Sequence, residues 1–170
     1  ATGYLNDPEK TAASFVTLEQ AVAAPYASSL LAEAGARVIK VEREEGDFAR
    51  HYDHVVKGES AYFVWLNRGK ESVCLNLKSA DDRTLLSRML EKADVFIQNL
   101  KPGSVKKLGL DYAQLRSRNP GLVMCSISGY GERGEYANLK AYDLLVQAES
   151  GLSTVTGNEQ GPARVGFSVC

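Results

Sequence analysis

Short apolar runs alternate with amphipathic stretches along most of the chain. Residues 15–22 read as a first strand, with Val16, Leu18 and Val22 apolar. Pro25 suits the first turn of a helix, where its missing N–H costs nothing, and Gly35 can end that helix. The helix predicted over 25–34 offers Tyr26, Leu30 and Leu31 as its apolar side. Residues 37–42, Arg-Val-Ile-Lys-Val-Glu, follow as a strand. Residues 43–61 are charged and read as a long loop, a length that often marks function. Residues 62–66 are apolar and aromatic, helix or strand, and 67–70 form a turn. Residues 72–77 and 93–99 read as further strands. Between them Ser79 is a candidate N-cap, Asp81 and Asp82 complement the dipole of the first turn, and Leu85, Leu86, Met89 and Leu90 form the stripe. Short helices are predicted from the Pro102-Gly103 loop to Leu108 and over 111–118, closed by Asn119-Pro120-Gly121.

The centre of this pattern is residues 121–152. A strand over 122–127, expected to be buried, empties into a loop with glycines at Gly129, Gly131 and Gly134. A helical pattern begins near Tyr142 and Asp143. Repeated alternation of strand and helix predicts an α/β fold with a largely parallel sheet and flanking helices. A buried strand ending in a glycine-rich loop is where open α/β proteins place ligands.

A chain of 170 residues matches one domain and can bury a core. A formal net charge of −1 gives no global attraction to nucleic acid or to an acidic membrane, and no aromatic and basic nucleic-acid surface is visible. Cys74, Cys125 and Cys170 form neither a disulfide framework nor a metal pattern. Cys74 and Cys125 fall in predicted strands and read as small buried hydrophobes. No apolar run approaches membrane-spanning length, and a reducing, cytoplasmic setting is the expectation. The cations Arg43, Lys70, Lys78, Lys101, Lys106, Lys107 and Lys140 lie after strands or in the joining loops. They either converge on one sheet edge or are scattered solvated side chains, and spacing alone leaves both open.

Gly129-Tyr130-Gly131-Glu132-Arg133-Gly134 matches the dinucleotide fingerprint GxGxxG literally, with Glu149 as a conceivable ribose partner. That chemistry needs the third glycine in the opening turns of a helix, whereas residues 135–138 carry no apolar stripe. A mobile glycine loop over a site is the preferred reading. His51 and His54 in the charged loop read as solvated rather than as metal ligands. Asp143 and Glu149 lie nearly on opposite faces of one helix, which speaks against a joint acid–base role.

Several blocks together resemble the class III CoA-transferases, the CaiB/BaiF family. They are Ala23-Ala24-Pro25-Tyr26, residues 31–42 (LAEAGARVIKVE), residues 66–72 (LNRGKES), residues 93–99 (ADVFIQN), Pro102-Gly103, Ser128-Gly129-Tyr130-Gly131, and Ala141-Tyr142-Asp143 with Gln147-Ala148-Glu149-Ser150-Gly151-Leu152. The resemblance runs from about residue 15 to the end, with 1–14 as a divergent or loose segment. It implies a Rossmann-like α/β domain, here the N-terminal part of a larger two-domain chain that forms an interlocked homodimer. The implied activity is transfer of CoA between carboxylic acids. Acyl-CoA and a small acid would be the substrates, with no covalently bound cofactor and no metal.

The resemblance also implies site residues. Arg43 matches an arginine near the CoA nucleotide, Leu75 and Lys78 match positions flanking adenine and phosphates, and Asn99 and Leu100 match a pair on the pantetheine path. Lys107 stands where relatives often carry arginine, and Lys140 matches a basic residue beside the site. Tyr142 replaces the histidine of the racemase branch, which favours transfer over racemisation. Glu135 departs from the usual Gly-Pro of the glycine loop. The family's nucleophilic aspartate closes a block RVGxSVxD. Residues 164–170, RVGFSVC, match that block up to the position before the aspartate. The expectation is therefore that these 170 residues do not turn over alone. A racemase or lyase of the same family and a non-catalytic CoA-binding fragment are the alternatives.

Overall fold

The computed structural model describes residues 13–166. Strands β1 (Ser14–Leu18), β2 (Arg37–Glu42), β3 (Glu71–Cys74), β4 (Val95–Gln98) and β5 (Val123–Ser126) form one sheet in the order β3-β2-β1-β4-β5. Every pairing is parallel, and central β1 matches Val16 with Ile39 on one side and Phe96 on the other. The helices are α1 (Ala23–Glu33), α2 (Ala61–Asn67), α3 (Ala80–Leu90), α4 (Ser104–Lys107), α5 (Tyr112–Arg118), α6 (Asp143–Glu149) and α7 (Leu152–Thr156). The chain steps outward from β1 to β3, then returns to β4 on the other side of β1. This is the doubly wound arrangement, with its switch point between the C-terminal ends of β1 and β4.

Both faces of the sheet are covered, as a parallel sheet requires. One face carries Val16, Leu18, Val41 and Phe96 against Leu86 and Leu90 of α3, Val105 of α4 and Leu115 of α5. The other carries Phe15, Val38 and Ile97 against Ala24, Leu31 and Ala32 of α1. The helix stripe predicted for α3 holds for Leu86, Leu90 and Met89, but Leu85 is exposed on its flank. In α1 the buried side is Ala24, Pro25, Ser28 and Ser29, small residues that bring the helix close to the sheet. Tyr26 and Leu30 consequently point outward.

Other expectations also change. The first strand stops at Leu18 because the backbone turns at Ala21, where φ is +62°. The 43–61 stretch is not all loop: a 3₁₀ turn spans Phe48–His51, capped by the Asp47 side chain. Residues 62–66 fall within helix α2, which Ser60 caps by accepting the Phe63 N–H. Helix α7 follows a left-handed Gly151 and is not signalled by the apolar pattern. Strand β5 is not buried: Val123, Cys125 and Ser126 are exposed, and so is Cys74 on β3. Both are edge strands, so apolar composition there gives a strand without enclosure. Residues 1–12 and 167–170, including Cys170, lie outside the described residues.

The layer between the sheet and α1–α2 holds charge. Lys40, on the same face of β2 as Val38, is 1% exposed. Its Nζ lies 2.7 Å from Asp47 Oδ2, 2.9 Å from Asn67 Oδ1 and 3.9 Å from Glu19. Lys70 Nζ donates to Glu19 Oε1 at 2.6 Å and to the Pro25 carbonyl, and Ser28 donates to Glu19 Oε2. Lys70 is thus not a crevice cation but a structural one, and burial pushes its ammonium pKa down against the pull of Glu19. Glu42 takes a two-pronged contact from Arg50, whose guanidinium stacks 3.7 Å over Phe63. Burial pushes the Glu42 carboxyl up, but bonds from Arg50, Ser72 and the Asp47 amide outweigh it and leave it below its ordinary 4.5. A carboxyl lowered in the fold contributes stability above its unfolded pKa and loses it as pH falls through the folded value. The expected outcome is that Glu42→Gln lowers unfolding free energy at neutral pH by about 1–3 kcal/mol. The gap to the parent should narrow as pH falls below the ordinary carboxylate range and through the lowered folded value, as read by denaturant unfolding across pH.

Candidate functional site

The loops leaving β1 and β4 are tied together at the switch point. Asn99 accepts the Gln20 N–H at 2.9 Å through Oδ1 and donates from Nδ2 to the Gln20 carbonyl at 2.8 Å. This pair spans the gap that the reversal of strand order opens. Asn99 therefore works as a backbone clamp, both ends of its amide being engaged.

Two cavities flank the clamp on this edge. The larger, about 740 Å³, is lined by residues 20–23, 99–102, 127–131 and 137–143, with Val146. The smaller, about 450 Å³, is lined by residues 18–20, 41–47 and 75–78, with Leu100 and Leu108. Gln20 and Leu100 line both, so the cavities adjoin at the clamp.

The residues singled out from sequence fall largely along this edge. Arg43, Leu75 and Lys78 line the smaller cavity, Asn99, Gly129, Gly131, Lys140 and Tyr142 line the larger, and Leu100 belongs to both. Lys101 also lines the larger cavity. Lys107 is exposed in the last turn of α4 and Gly134 is exposed in the loop, and neither lines these cavities. Arg43 is exposed, donates to the Gly46 carbonyl at 3.0 Å and lies 3.7 Å from Glu45. An anion reaching Arg43 would compete with that carboxylate. Tyr142, 61% exposed, sits at the N-cap of α6.

The glycine loop is shaped by close approach. A Cβ on Gly129 would stand 1.9 Å from the Ala141 Cβ, so the two ends of the loop meet only because residue 129 has no side chain. Gly131 and Gly134 take left-handed φ of +81° and +95°. Gly134 leads into turns over 134–139, not into a helix; α6 begins only at Asp143. The geometry of the dinucleotide fingerprint is therefore absent. Glu149, the conceivable ribose partner, accepts the Tyr130 hydroxyl at 2.7 Å, which raises the pKa of that phenol. Tyr130 in turn meets Tyr136 edge to face.

Sequence reasoning gave no role at this edge to four residues that build it: Gln20, Ala21, Asp47 and Gln147. Gln147 is fully buried, donates to Asp143 Oδ2 at 2.8 Å and accepts the Val165 N–H at 2.8 Å, holding the 164–166 segment against α6. Its i, i+4 spacing from Asp143 was the available signal. In the charged loop, Asp53 accepts the Ala61 and Val55 amides and the Ser60 hydroxyl, bonds that hold its carboxyl below the usual range. His54 faces the Gly58 carbonyl. Among the described residues no group of three or more His, Cys, Asp and Glu is placed to hold a metal, and no helix is long and apolar enough to cross a membrane.

Residues 14–170 match the family model described as CoA-transferase family III. An acetyl-CoA:oxalate CoA-transferase of Acetobacter aceti is 42% identical over 153 residues, covering 89% of this chain and 39% of the relative. A succinate–glutarate CoA-transferase of Agrobacterium fabrum is 40% identical, covering 91% and 41%. Among solved structures, a CaiB/BaiF family protein from Brucella suis superposes with a TM-score of 0.85 at 37% identity, covering 91% of this chain and 43% of that one. The chain thus spans about two fifths of the length of the curated relatives it matches.

The close approach at residue 129 separates the two glycine roles. Gly129→Ala should cost about 1–3 kcal/mol in thermal unfolding, because Ala141 must move. Gly131→Ala meets no atom within 4 Å and should cost only the backbone term, about 1 kcal/mol.

Proposed function

The chain belongs to CoA-transferase family III, and from that premise we propose that it forms the acyl-CoA-binding edge of an acyl-CoA:carboxylate CoA-transferase. The observation that carries this reading is the pair of adjoining cavities at the switch point, with Arg43 and Lys78 in one and the glycine loop in the other. CoA is long, with a phosphate-rich nucleotide at one end and a thiol at the other. In the proposed pose the nucleotide lies by Arg43, Leu75 and Lys78, and the pantetheine arm passes Asn99 and Leu100. The thioester then reaches Gly129, Gly131, Lys140 and Tyr142. Lys107, on the α4 turn before Leu108, reaches phosphate only from outside the smaller cavity.

The chemistry follows the expected family route. An aspartate carboxylate attacks the acyl-CoA carbonyl and expels CoA thiolate, leaving a mixed anhydride. The thiolate attacks the enzyme carbonyl of that anhydride and releases the donor acid, leaving an enzyme thioester. The acceptor carboxylate and the thiolate then repeat both steps in reverse to give the new acyl-CoA. On this reading these residues form the CoA-binding edge, and the aspartate of the RVGxSVxD block supplies the nucleophile. The loop at 129–134 shields the anhydride from water. Oxalate, succinate and glutarate in the relatives' names point to a small dicarboxylate as one substrate. A homodimer belongs to the same reading. Tyr26, Phe48, Tyr52 and Trp65 form an exposed aromatic strip with Tyr62, a surface of the kind that assembly covers.

The test is transfer by the full-length protein, with acetyl-CoA and oxalate or succinyl-CoA and glutarate, read as new thioester by mass spectrometry. Lys78→Ala and Arg43→Ala should each raise the KM for acyl-CoA about tenfold with kcat nearly unchanged, the loss of one charge-assisted contact. Exchange of the α-proton with deuterated solvent and no transfer would instead establish the racemase or lyase reading. CoA binding with neither reaction would establish a non-catalytic CoA-binding protein.

A further inference from the structure

Ala21 lines the larger cavity with φ at +62°. L-residues rarely adopt this conformation, and it persists only where the surroundings hold it. What holds it is visible. Glu19 is fixed by Lys70 and Ser28, and Gln20 is fixed through both backbone groups by Asn99. The Ala21 N–H donates to Asp47 Oδ1 at 3.2 Å.

Asp47 itself belongs to the other cavity, in the 43–47 segment that also carries Arg43. It is 3% exposed, and its two oxygens divide their duties. Oδ2 takes Lys40 Nζ at 2.7 Å, while Oδ1 takes the Ala21 and Ala49 amides. Its own N–H donates to Glu42 Oε2 at 3.0 Å. One carboxylate thus joins the loop lining the smaller cavity to the strained turn lining the larger. An asparagine cannot replace it. With a single acceptor oxygen, it must turn an NH₂ either toward the Lys40 ammonium or toward the two amides.

Resting on the reading of this edge as a CoA site, we propose that Asp47 is a positioning residue that couples the two cavities. The anionic end of an acyl-CoA settles the 43–47 segment, and Asp47 carries that order to the Ala21 turn, against which the thioester end lies. Without the Asp47 carboxylate, Ala21 relaxes out of the left-handed region and the backbone beside the reacting end shifts. The nucleotide end is still bound.

Hydrogen–deuterium exchange on the full-length protein, with and without CoA, tests this. In ligand-free Asp47→Asn the 19–23 segment should exchange about tenfold faster than in the parent, with residues 14–18 unchanged. CoA should slow exchange at 43–47 and 19–23 together in the parent, and at 43–47 alone in the variant. In turnover, Asp47→Asn should lower kcat about tenfold or more with the KM for acyl-CoA within about threefold. Ala21→Val, which leaves the charge cluster intact, should show the same kcat loss and decides the matter if Asp47→Asn does not fold. Unchanged exchange at 19–23 in Asp47→Asn, or wild-type kcat in Ala21→Val, would overturn the proposal. If CoA protects neither segment of the parent, the CoA reading and the ligand coupling both fall. The ligand-free comparison would still decide separately whether Asp47 holds the turn.

Discussion

Everything on the functional edge depends on charge placed where charge is costly. Lys40 and Lys70 are buried beneath α1 and α2 and are tolerated because Glu19, Asp47 and Asn67 meet them at hydrogen-bond distance. The two lysines lie on β2 and in the turn before β3, and their partners come from the turn after β1, the 43–47 loop and the end of α2, so satisfying the ammoniums fixes the relation of all five. An apolar core of equal volume would hold the sheet together as well. It would not specify where the loops begin.

That specification matters because the loops at the switch point carry the proposed chemistry. The reversal of strand order opens a gap beside β1, and Asn99 and Asp47 close on the Gln20–Ala21 turn from its two sides. The glycine loop completes the larger cavity through the contact of Gly129 with Ala141. Rigid clamps around the ligand path and a glycine-rich segment over it divide the labour between positioning and covering.

The strands were legible because each short apolar run is bracketed by glycine, proline or charge, as Gly35 and Arg43 bracket β2. Parallel pairing followed from the alternation with helices. Burial was less legible. Leu122 to Ile127 reads as an inner strand, but composition does not count neighbours, and β5 has a strand on one side alone. In α1 Tyr26 and Leu30 face out because the sheet takes mainly small residues there, a tertiary demand with no local signal. Arg43, Leu75, Lys78, Asn99 and Leu100 were reachable through family resemblance, and the fold gathers them along one edge. Asp47 and Ala21 were not, since their importance lies in partners far along the chain, and Gln147 stood within a family block with no role attached to it. Neither reading left open for Lys70, crevice cation or solvated side chain, anticipated its role, because that role depends on Glu19, distant in sequence.

The central claim is that the two adjoining cavities take one extended CoA molecule. The most direct measurement is a crystal structure of the protein grown with CoA. The account predicts density for the nucleotide phosphates beside Arg43 and Lys78, with the pantetheine arm passing Asn99 and Leu100 toward Gly129. Phosphates seated in the Gly129–Gly134 loop, or CoA bound away from the β1–β4 switch point, would contradict it.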